Sequence, residues 1–268
     1  MAGAFPPFEF TLSDAARREH SEGELLDPGA RGTSLDLTAF VSCYNEAAYI
    51  VQTLEDIRLA LDGLGISFEI IVVDDCSSDN SVELVKRYVA EHPNARIILR
   101  RNFVNRGLAQ NYIDAAFLGR GRYYKLFCGD NTEPRESIAR ICSLLDRADM
   151  IIPRYVSVEG KGGFRKWLSA AYTGLVNLAS GNRLSYYNGL AVHLRYNIMR
   201  WHPNTRGFGF QADILCMLLD QGATHMEVEV DAINRAASRA LTAKNVLSVG
   251  HTLLDIVIRR VAKFVYRR

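Results

Sequence analysis

The stretch EIIVVDDCSSD at residues 69–79 decides the fold, because an Ile- and Val-rich run ends there in two carboxylates and small polar residues. Such a run predicts a strand that is buried on both faces of a sheet. The C-terminal end of a strand is where an open α/β sheet binds its ligand. Asp74 and Asp75 would repel each other without a partner, so we predict that they contact a hydroxyl-rich or nucleotide-like molecule. The serines and Asp79 could instead simply cap the helix that follows.

Strands and helices alternate strictly on both sides of this run. We predict strands at residues 35–42, 68–73, 95–99 and 123–127, and helices at 48–61, 81–90 and 108–118. This alternation predicts an α/β fold with a mostly parallel sheet, right-handed crossovers and flanking helices. The pattern weakens after Pro134. In that part we predict helices at 135–146 and 211–221, strands at 150–153 and 226–232, and Gly222 as a helix C-cap.

The chain of 268 residues is long enough for one of the larger α/β domains. We expect residues 1–33, which are rich in Pro, Gly and charge, to form a flexible tail. The globular domain is expected to span residues 34–244, and a basic amphipathic helical region to span 245–268. The formal net charge of +2 gives no reason to predict a nucleic-acid partner.

The five cysteines are scattered and contain no CxxC spacing. This pattern argues against a disulfide framework or a zinc site and favours a reducing compartment. No stretch of about 18 apolar residues predicts a spanning helix, and the first residues lack the apolar core of a signal peptide. We therefore expect any membrane contact to be peripheral and on the cytoplasmic face.

Two motifs resemble those of family 2 glycosyltransferases of the GT-A fold. The sequence VSCYNE at residues 41–46 resembles the opening motif of that family, and VVDDCS at 72–77 resembles its second motif. The sequences NRG at 105–107 and GD at 129–130 follow in the expected order and at the expected distances. Within the family, the layout is most similar to polyprenyl-phosphate sugar transferases such as dolichol-phosphate mannose synthase. The narrower likeness comes from IIPRY at 151–155, RKWLS at 165–169 and the basic loop at 235–244.

The resemblance implies an inverting transfer of a sugar from a GDP- or UDP-sugar to a polyprenyl phosphate, assisted by Mg²⁺ or Mn²⁺. It makes Asp130 the metal ligand. The family usually has Asp-x-Asp where this chain has Cys128-Gly129-Asp130, so only the last carboxylate remains, and soft sulfur is a poor ligand for a hard ion. Asn131 or Glu133 could assist the metal. Alternatively, Asp130 could merely cap the turn toward Pro134.

The resemblance also assigns donor-binding residues. These are Tyr44, Asn45, Glu46, Asp74, Asp75, Asn105, Gly107, Arg235 and Lys244. Carboxylates can accept hydrogen bonds from base imino groups or ribose hydroxyls, and the basic pair would clamp the donor phosphates. Glu46 could instead be a first-turn charge favoured by a helix dipole, and Gly107 could serve only turn geometry.

The acceptor side depends on a second set of residues. Arg154, Arg165 and Ser169 are candidates for the acceptor phosphate, since guanidinium groups suit phosphate oxygens; a solvated basic face is the alternative for Arg165. Asp213 could be the general base for a hydroxyl acceptor. A phosphate acceptor is already ionised, and then Gln211 and Asp213 would orient the donor or metal. Both could also merely cap their helix.

Membrane contact is predicted from the C-terminal segment. An apolar stripe there comprises Val246, Val249, Leu253, Ile256, Val257, Val261 and Phe264. Together with five basic residues among the last ten, this stripe predicts an in-plane interfacial helix attracted to anionic lipid. A helix docked on its own domain would show the same stripe without needing the basic residues. Residues 167–178 are a second candidate interfacial helix, with Trp167 at the headgroup boundary.

Two other functions fit the sequence. The same fold could transfer sugar to a hydroxyl of a glycolipid or saccharide. The replacement of the usual first Asp by Cys128 also fits a non-catalytic protein that binds nucleotide sugars.

Overall fold

The computed structural model describes residues 23–26, 35–159, 163–201, 209–233 and 243–266. The strands are β1 (Gly23–Leu26), β2 (Leu35–Cys43), β3 (Phe68–Asp74), β4 (Ile97–Asn102), β5 (Gly121–Cys128), β6 (Met150–Glu159), β7 (Val192–Leu194) and β8 (His225–Ile233). The helices are α1 (Ile50–Asp62), α2 (Ser81–Glu91), α3 (Leu108–Leu118), α4 (Arg135–Cys142), α5 (Gly163–Ser180), α6 (Arg195–Met199), α7 (Phe210–Asp220) and α8 (Ala243–Val265).

The described strands form one sheet in the order β1-β4-β3-β2-β5-β7-β6-β8. Strands β4, β3, β2 and β5 are neighbours and parallel, and β6 is parallel to β8. The short β7 runs antiparallel to both β5 and β6 and joins the two parallel groups. The predicted mostly parallel α/β sheet is confirmed, and the carboxyl ends of β2 to β5 meet at one edge.

Strand β3 is buried on both faces, as its sequence predicts. Ile71 and Val73 belong to the core cluster on the α3, α7 and α8 side. Ile70 and Val72 belong to the cluster on the α1, α2 and α4 side. The alternation of the strand therefore fills both halves of the core and leaves Asp74 at the sheet edge.

Three expectations about the elements need correction, and two elements were not predicted. Part of the predicted flexible tail, Gly23–Leu26, is a strand that pairs with the edge strand β4 and covers its open hydrogen-bonding groups. Helix α4 ends at Cys142 rather than at residue 146, and β6 continues to Glu159 because β8 pairs with it along its length. The sequence analysis missed β7 and α6, which are too short for a periodic signal. Residues 1–22, 27–34 and 234–242 lie outside the described part of the chain.

The C-terminal region is a single helix, α8, that packs on α5 and α7. Thr252 and Ile256 are buried in this contact. Arg260 donates to the Ser180 carbonyl at the end of α5, and Lys263 donates to the Asp220 carbonyl at the end of α7 (2.8 Å). Cations are favourable at helix C-termini. The argument that a docked helix would not need these basic residues was therefore wrong.

Helix α7 ends in the predicted glycine cap. Gly222 has a φ of +83°. Its N–H donates to the Leu219 carbonyl, and the N–H of Ala223 donates to the Leu218 carbonyl, both at 3.0 Å. This pair of bonds is the Schellman arrangement, which places a left-handed residue after the helix.

Replacing Gly222 by alanine is expected to lower the free energy of unfolding by about 1 kcal/mol, because a Cβ strains a left-handed residue. Gly174 is the control, since it lies in the interior of α5 with open space around the site of a Cβ. Gly174→Ala should raise the free energy of unfolding by about 0.5–1 kcal/mol. Urea unfolding of both variants measures the difference; a stabilising Gly222→Ala would contradict the assigned cap.

Candidate active site

The loop after β2 is braced by the loop after β3. Asn45 has a φ of +59°, and its Oδ1 accepts from the N–H groups of Ser78 (2.8 Å) and Asp79 (3.3 Å). The Asn45 N–H donates to Ser77 Oγ at 2.9 Å. Within the described residues, the N-cap of α2 is Asn80 and no side chain caps it. The serines and Asp79 therefore hold the first motif in place, and Asp79 Oδ1 also accepts from the N–H of Ser81, the first residue of α2, at 3.0 Å.

The carboxylate of Asp75 organises the loop after β4. It is 6% exposed and accepts from the N–H groups of Arg106 (2.8 Å) and Gly107 (2.9 Å) and from Asn102 Nδ2 (2.9 Å). Asn105 Nδ2 donates to the Asp75 carbonyl at 3.2 Å. These hydrogen bonds offset the repulsion between the carboxylates of Asp74 and Asp75. Gly107 has a φ of +83°, so the turn itself requires glycine.

Asp74 differs from its neighbour in having hydrogen-bonding capacity to spare. It is 1% exposed, and its Oδ2 accepts from the Ser77 N–H at 3.1 Å. Its Oδ1 is buried and has no hydrogen-bond partner in the described part of the chain. Buried carboxylate oxygens rarely stay unpaired in folded proteins, so a ligand donor fits this position. Tyr44, which directly follows β2, is half exposed.

The loop that carries Asp130 is anchored through its backbone. The Gly129 N–H donates to the Ser42 carbonyl, and the Gly129 carbonyl accepts from Thr53 Oγ1, both at 2.9 Å. A Cβ at Gly129 would lie 2.6 Å from the Ser42 carbonyl oxygen and 3.0 Å from Glu46 Cγ. The position therefore admits only glycine, and the Asp130 loop passes directly against the side chain of Glu46.

Glu46 and Asp130 bring two negative charges together. Burial first, and then the charges of Asp130 and Asp79, raise the pKa of Glu46 to about 7. A divalent cation beside Asp130 would relieve this repulsion. Burial and the same charge of Asp130 also raise the pKa of the Cys128 thiol far above its usual range, so the sulfur stays a neutral, poor ligand for a hard ion.

The residues at this edge fit an ion that is shared with a substrate. Across the described ranges, no three His, Cys, Asp or Glu side chains are grouped as a metal site. Mg²⁺ is commonly held by one or two carboxylates and completed by substrate phosphates, so Asp130 with Glu46 beside it is a suitable donor set. The suggestion that Glu133 assists the ion was wrong, because Lys125 and Tyr155 already engage its carboxylate. Asn131 Nδ2 likewise donates to Asp56 (3.0 Å).

Asp213 lies near the start of α7 and is bound by two residues that the sequence analysis did not connect to it. It is 6% exposed. Trp201 Nε1 donates to its Oδ2 at 2.8 Å, and Arg259 Nη2 of α8 donates to its Oδ1 at 2.5 Å. The N-cap residue is Gly209, and in the described chain no side chain caps α7. The sequence signal for this contact is weak: Arg259 is not part of the apolar stripe of α8.

Several polar atoms near the start of α7 and along α5 are unpaired. Ser169 Oγ, Tyr172 Oη and Thr173 Oγ1 on α5, and Gln211 Oε1 on α7, are buried without a hydrogen-bond partner among the described residues. Ser169 and Thr173 are four residues apart and share one helix face. Such a run of unpaired hydroxyls is unusual in a protein interior and fits a polar ligand.

The remaining acceptor and donor candidates lie elsewhere or outside the described part. Arg154 of β6 forms an ion pair with Glu229, its neighbour on β8. The side chains of Arg165 and Lys244, and all of Arg235, lie outside the described residues.

Comparisons with known proteins agree with this geometry. The model of the family "Glycosyl transferase family 2" matches residues 38–209. An undecaprenyl-phosphate 4-deoxy-4-formamido-L-arabinose transferase of Edwardsiella ictaluri is 25% identical over 166 residues, which are 61% of this chain and 50% of that protein. A dolichyl-phosphate beta-glucosyltransferase of Dictyostelium discoideum is 26% identical over 118 residues, 42% of this chain and 36% of that protein. The chain thus spans half or less of these relatives.

A solved structure shares the fold. The mannosyltransferase PcManGT from Pyrobaculum calidifontis, in complex with GDP-Man and Mn²⁺, superposes with a TM-score of 0.63 at 18% identity. The match covers 85% of this chain and 66% of that one.

Replacing Glu46 by glutamine is expected to raise the Tm of the metal-free protein at about pH 8 by about 2 °C, because the folded state then carries one repulsive charge fewer. The folded pKa of Glu46 lies above the unfolded value of 4.5. The native state therefore binds this proton more tightly, and the stabilising effect of the proton is lost as the pH rises through the folded value of about 7. The gain in the variant should shrink as the pH falls and vanish near 4.5.

Glu55→Gln is the control, for which we expect a change in Tm of the opposite sign. Hydrogen bonds from Arg58 and Tyr88 lower the pKa of Glu55, so its charge stabilises the folded state at neutral pH and the variant should melt earlier. Thermal unfolding in the presence of a chelator measures both variants. A lower Tm for Glu46→Gln at high pH would contradict the assigned repulsion.

Proposed function

Since the chain belongs to glycosyl transferase family 2, we propose that it transfers a sugar from a GDP- or UDP-sugar to a polyprenyl phosphate at a membrane surface. The observation that carries the proposal is the carboxylate edge, where Glu46, Asp74 and Asp130 lie on neighbouring loops of a GT-A sheet. The polyprenyl-phosphate relatives support the acceptor class.

The donor is proposed to bind along the loops after β2, β3 and β4. The base and ribose contact Tyr44, Asn45 and Glu46 together with Asp74 and Asp75. The unpaired Oδ1 of Asp74 accepts a hydrogen bond from the base or ribose. Asn105 and Gly107, at the start of α3, approach the ribose or an anionic group. Arg235, which follows β8, and Lys244 clamp the diphosphate.

Asp130, with Glu46 beside it, would hold Mg²⁺ or Mn²⁺. When bound, the cation neutralises the negative charge of the nucleoside diphosphate as it leaves. The mannosyltransferase that shares the fold was crystallised with Mn²⁺, which supports a divalent ion. The rest of the loop keeps Asp130 facing the donor through backbone contacts.

The acceptor is proposed to be a phosphate because no free base lies at Asp213. Both of its oxygens already accept hydrogen bonds from Trp201 and Arg259. That arrangement suits a residue that fixes α7 better than one that deprotonates a hydroxyl. A phosphate oxygen of the lipid, already ionised, attacks the anomeric carbon in line and expels the nucleoside diphosphate with inversion.

The acceptor phosphate is proposed to bind to side chains of α5. Ser169 Oγ and its unpaired neighbours Tyr172 and Thr173 supply hydroxyl donors, and Arg165 precedes them on the same helix. Gln211, whose Oε1 is also unpaired, would orient the acceptor or the donor from α7. Arg154 remains a candidate phosphate contact, provided that it leaves its ion pair with Glu229.

Membrane contact is proposed to use the outer faces of α5 and α8, which pack against each other. Both helices expose large apolar side chains: Trp167, Leu175, Leu178, Leu254, Ile258, Val261 and Val265. Apolar burial in the headgroup region stabilises such a surface. In the part of the chain that the structure describes, no helix has the length and apolar character to cross a bilayer. We place the protein peripherally on the cytoplasmic face.

A transfer assay tests the proposed reaction. Incubating purified protein with GDP- and UDP-sugars, Mg²⁺ or Mn²⁺ and short polyprenyl phosphates should give a glycosylated lipid phosphate, detected by mass spectrometry. Asp130→Ala should lower the rate about a hundredfold or more, because the leaving group loses its charge stabilisation. Turnover with hydroxyl acceptors alone would overturn the acceptor class, and nucleotide binding without any turnover would favour a binding protein.

Vesicle binding tests the membrane surface. Ile258→Glu should weaken binding to vesicles of mixed zwitterionic and anionic phospholipid by about tenfold or more, since it places a charge where an exposed apolar side chain would enter the headgroup region. Phe117→Glu on α3 is the matched control, because Ile258 is 56% exposed and Phe117 59%. Sedimentation of both variants with vesicles should separate them; equal losses would show that α8 is not the contact.

A further inference from the structure

A buried ionic network lies behind the Asp130 loop. Lys125 Nζ lies 2.9 Å from Glu133 Oε2 and donates to the Leu190 carbonyl at 2.7 Å. Tyr155 Oη donates to Glu133 Oε1 at 2.7 Å. The side chains of Lys125 and Glu133 are 0% and 4% exposed. The network joins β5, the loop after it, β6 and the segment before β7.

Stability alone does not account for these charges. Removing an ion pair from water is costly, and apolar side chains of similar volume stabilise a core as well or better. Buried ionic groups are best explained where they select one arrangement of the backbone. Burial, and then the charge of Glu133, also raise the pKa of Tyr155 well above its usual range, so this phenol remains a hydrogen-bond donor.

The network fixes both ends of the loop that carries Asp130. Lys125 lies three residues before Cys128, and Glu133 lies three residues after Asp130. Between them, the Thr132 carbonyl accepts from the Ile233 N–H at 2.8 Å, at the end of β8. The C-terminal flank of Asp130 is therefore bound to β5, β6 and β8, and Lys125 on its N-terminal side is bound to the segment before β7.

We propose that Lys125, Glu133 and Tyr155 are positioning residues that hold the Asp130 loop in its cation-binding conformation. The proposal depends on the function proposed above. The proposal is specific to a chain in which Cys128 stands in place of a first carboxylate. The position of the remaining carboxylate, that of Asp130, then depends on the strands around its loop. Second-layer partners of metal ligands commonly change metal affinity by about 10- to 100-fold.

The test separates positioning from folding. The double variant Lys125→Met/Glu133→Leu removes both charges and keeps the volume, so no buried charge is left unpaired. The Leu190 carbonyl and Tyr155 Oη lose their partners, so the urea midpoint should fall modestly. Its affinity for Mn²⁺ in the presence of GDP or UDP, measured by electron paramagnetic resonance, should fall about tenfold or more. Nucleotide affinity without metal should change less than about twofold, since in the described part of the chain the hydrogen bonds of the network do not reach the loops after β2, β3 and β4.

Tyr155→Phe is the second variant, in case the double variant does not fold. It removes two hydrogen bonds, one to Glu133 Oε1 (2.7 Å) and one from the Leu190 N–H (3.4 Å), and keeps the ring. A loss of about threefold in Mn²⁺ affinity is expected, with only a small fall in the urea midpoint. Glu69→Gln is the matched control. It breaks a buried contact with Arg120 and Thr38 at the opposite end of the sheet, and should lower stability while Mn²⁺ affinity is unchanged.

The outcomes are distinguishable. Native Mn²⁺ affinity in both network variants would overturn the positioning role and leave the proposed function standing. A loss of Mn²⁺ affinity in Glu69→Gln that matches the network variants would reduce the effect to general destabilisation and also overturn the proposal. If the native protein binds no Mn²⁺ with either nucleotide, the cation assignment of the proposed function fails and this proposal fails with it.

Discussion

The candidate site depends on one constraint, the shared direction of β2, β3, β4 and β5. Parallel strands deliver their following loops to a single edge, and the N–H groups of those loops have no strand partner. Here side-chain oxygens provide the partners: Asn45 binds the loop of Ser78, and Asp75 binds the loop of Gly107. The edge is thus preorganised before any ligand binds, with Asp74 and Glu46 left to face it.

The chemistry of this edge follows from its unbalanced charge. The charge of Asp130 disfavours the ionisation of Glu46, and the buried thiol of Cys128 offers no further charge. A divalent ion bound by both Asp130 and a substrate diphosphate fits this excess of negative charge and needs few protein ligands. The same arrangement makes the geometry of the Asp130 loop important, since Cys128 leaves the motif with a single carboxylate.

The sequence predicted the parts of the fold that depend on local pattern. The run before Asp74 is a doubly buried strand, and α3 has the predicted bounds of Leu108–Leu118. Contacts between distant residues were not predictable in the same way. Asp75 accepts a hydrogen bond from a turn 31 residues away, Arg259 binds Asp213 across 46 residues, and Arg260 and Lys263 bind carbonyls at the ends of α5 and α7. No periodicity encodes such pairs, because they depend on how separate elements of the chain pack together.

The pairing of Asp213 with Arg259 and Trp201 bears most directly on the acceptor, because a carboxylate held this way is not free to deprotonate a hydroxyl. The most direct measurement is the rate of sugar transfer to polyprenyl phosphate and to saccharide hydroxyls, compared between the native protein and Asp213→Asn. We predict product on the lipid phosphate only, and a loss in the variant of less than about tenfold, since no proton transfer is removed. Transfer to a hydroxyl, with a loss of about a thousandfold in Asp213→Asn, would identify Asp213 as a general base and contradict the account.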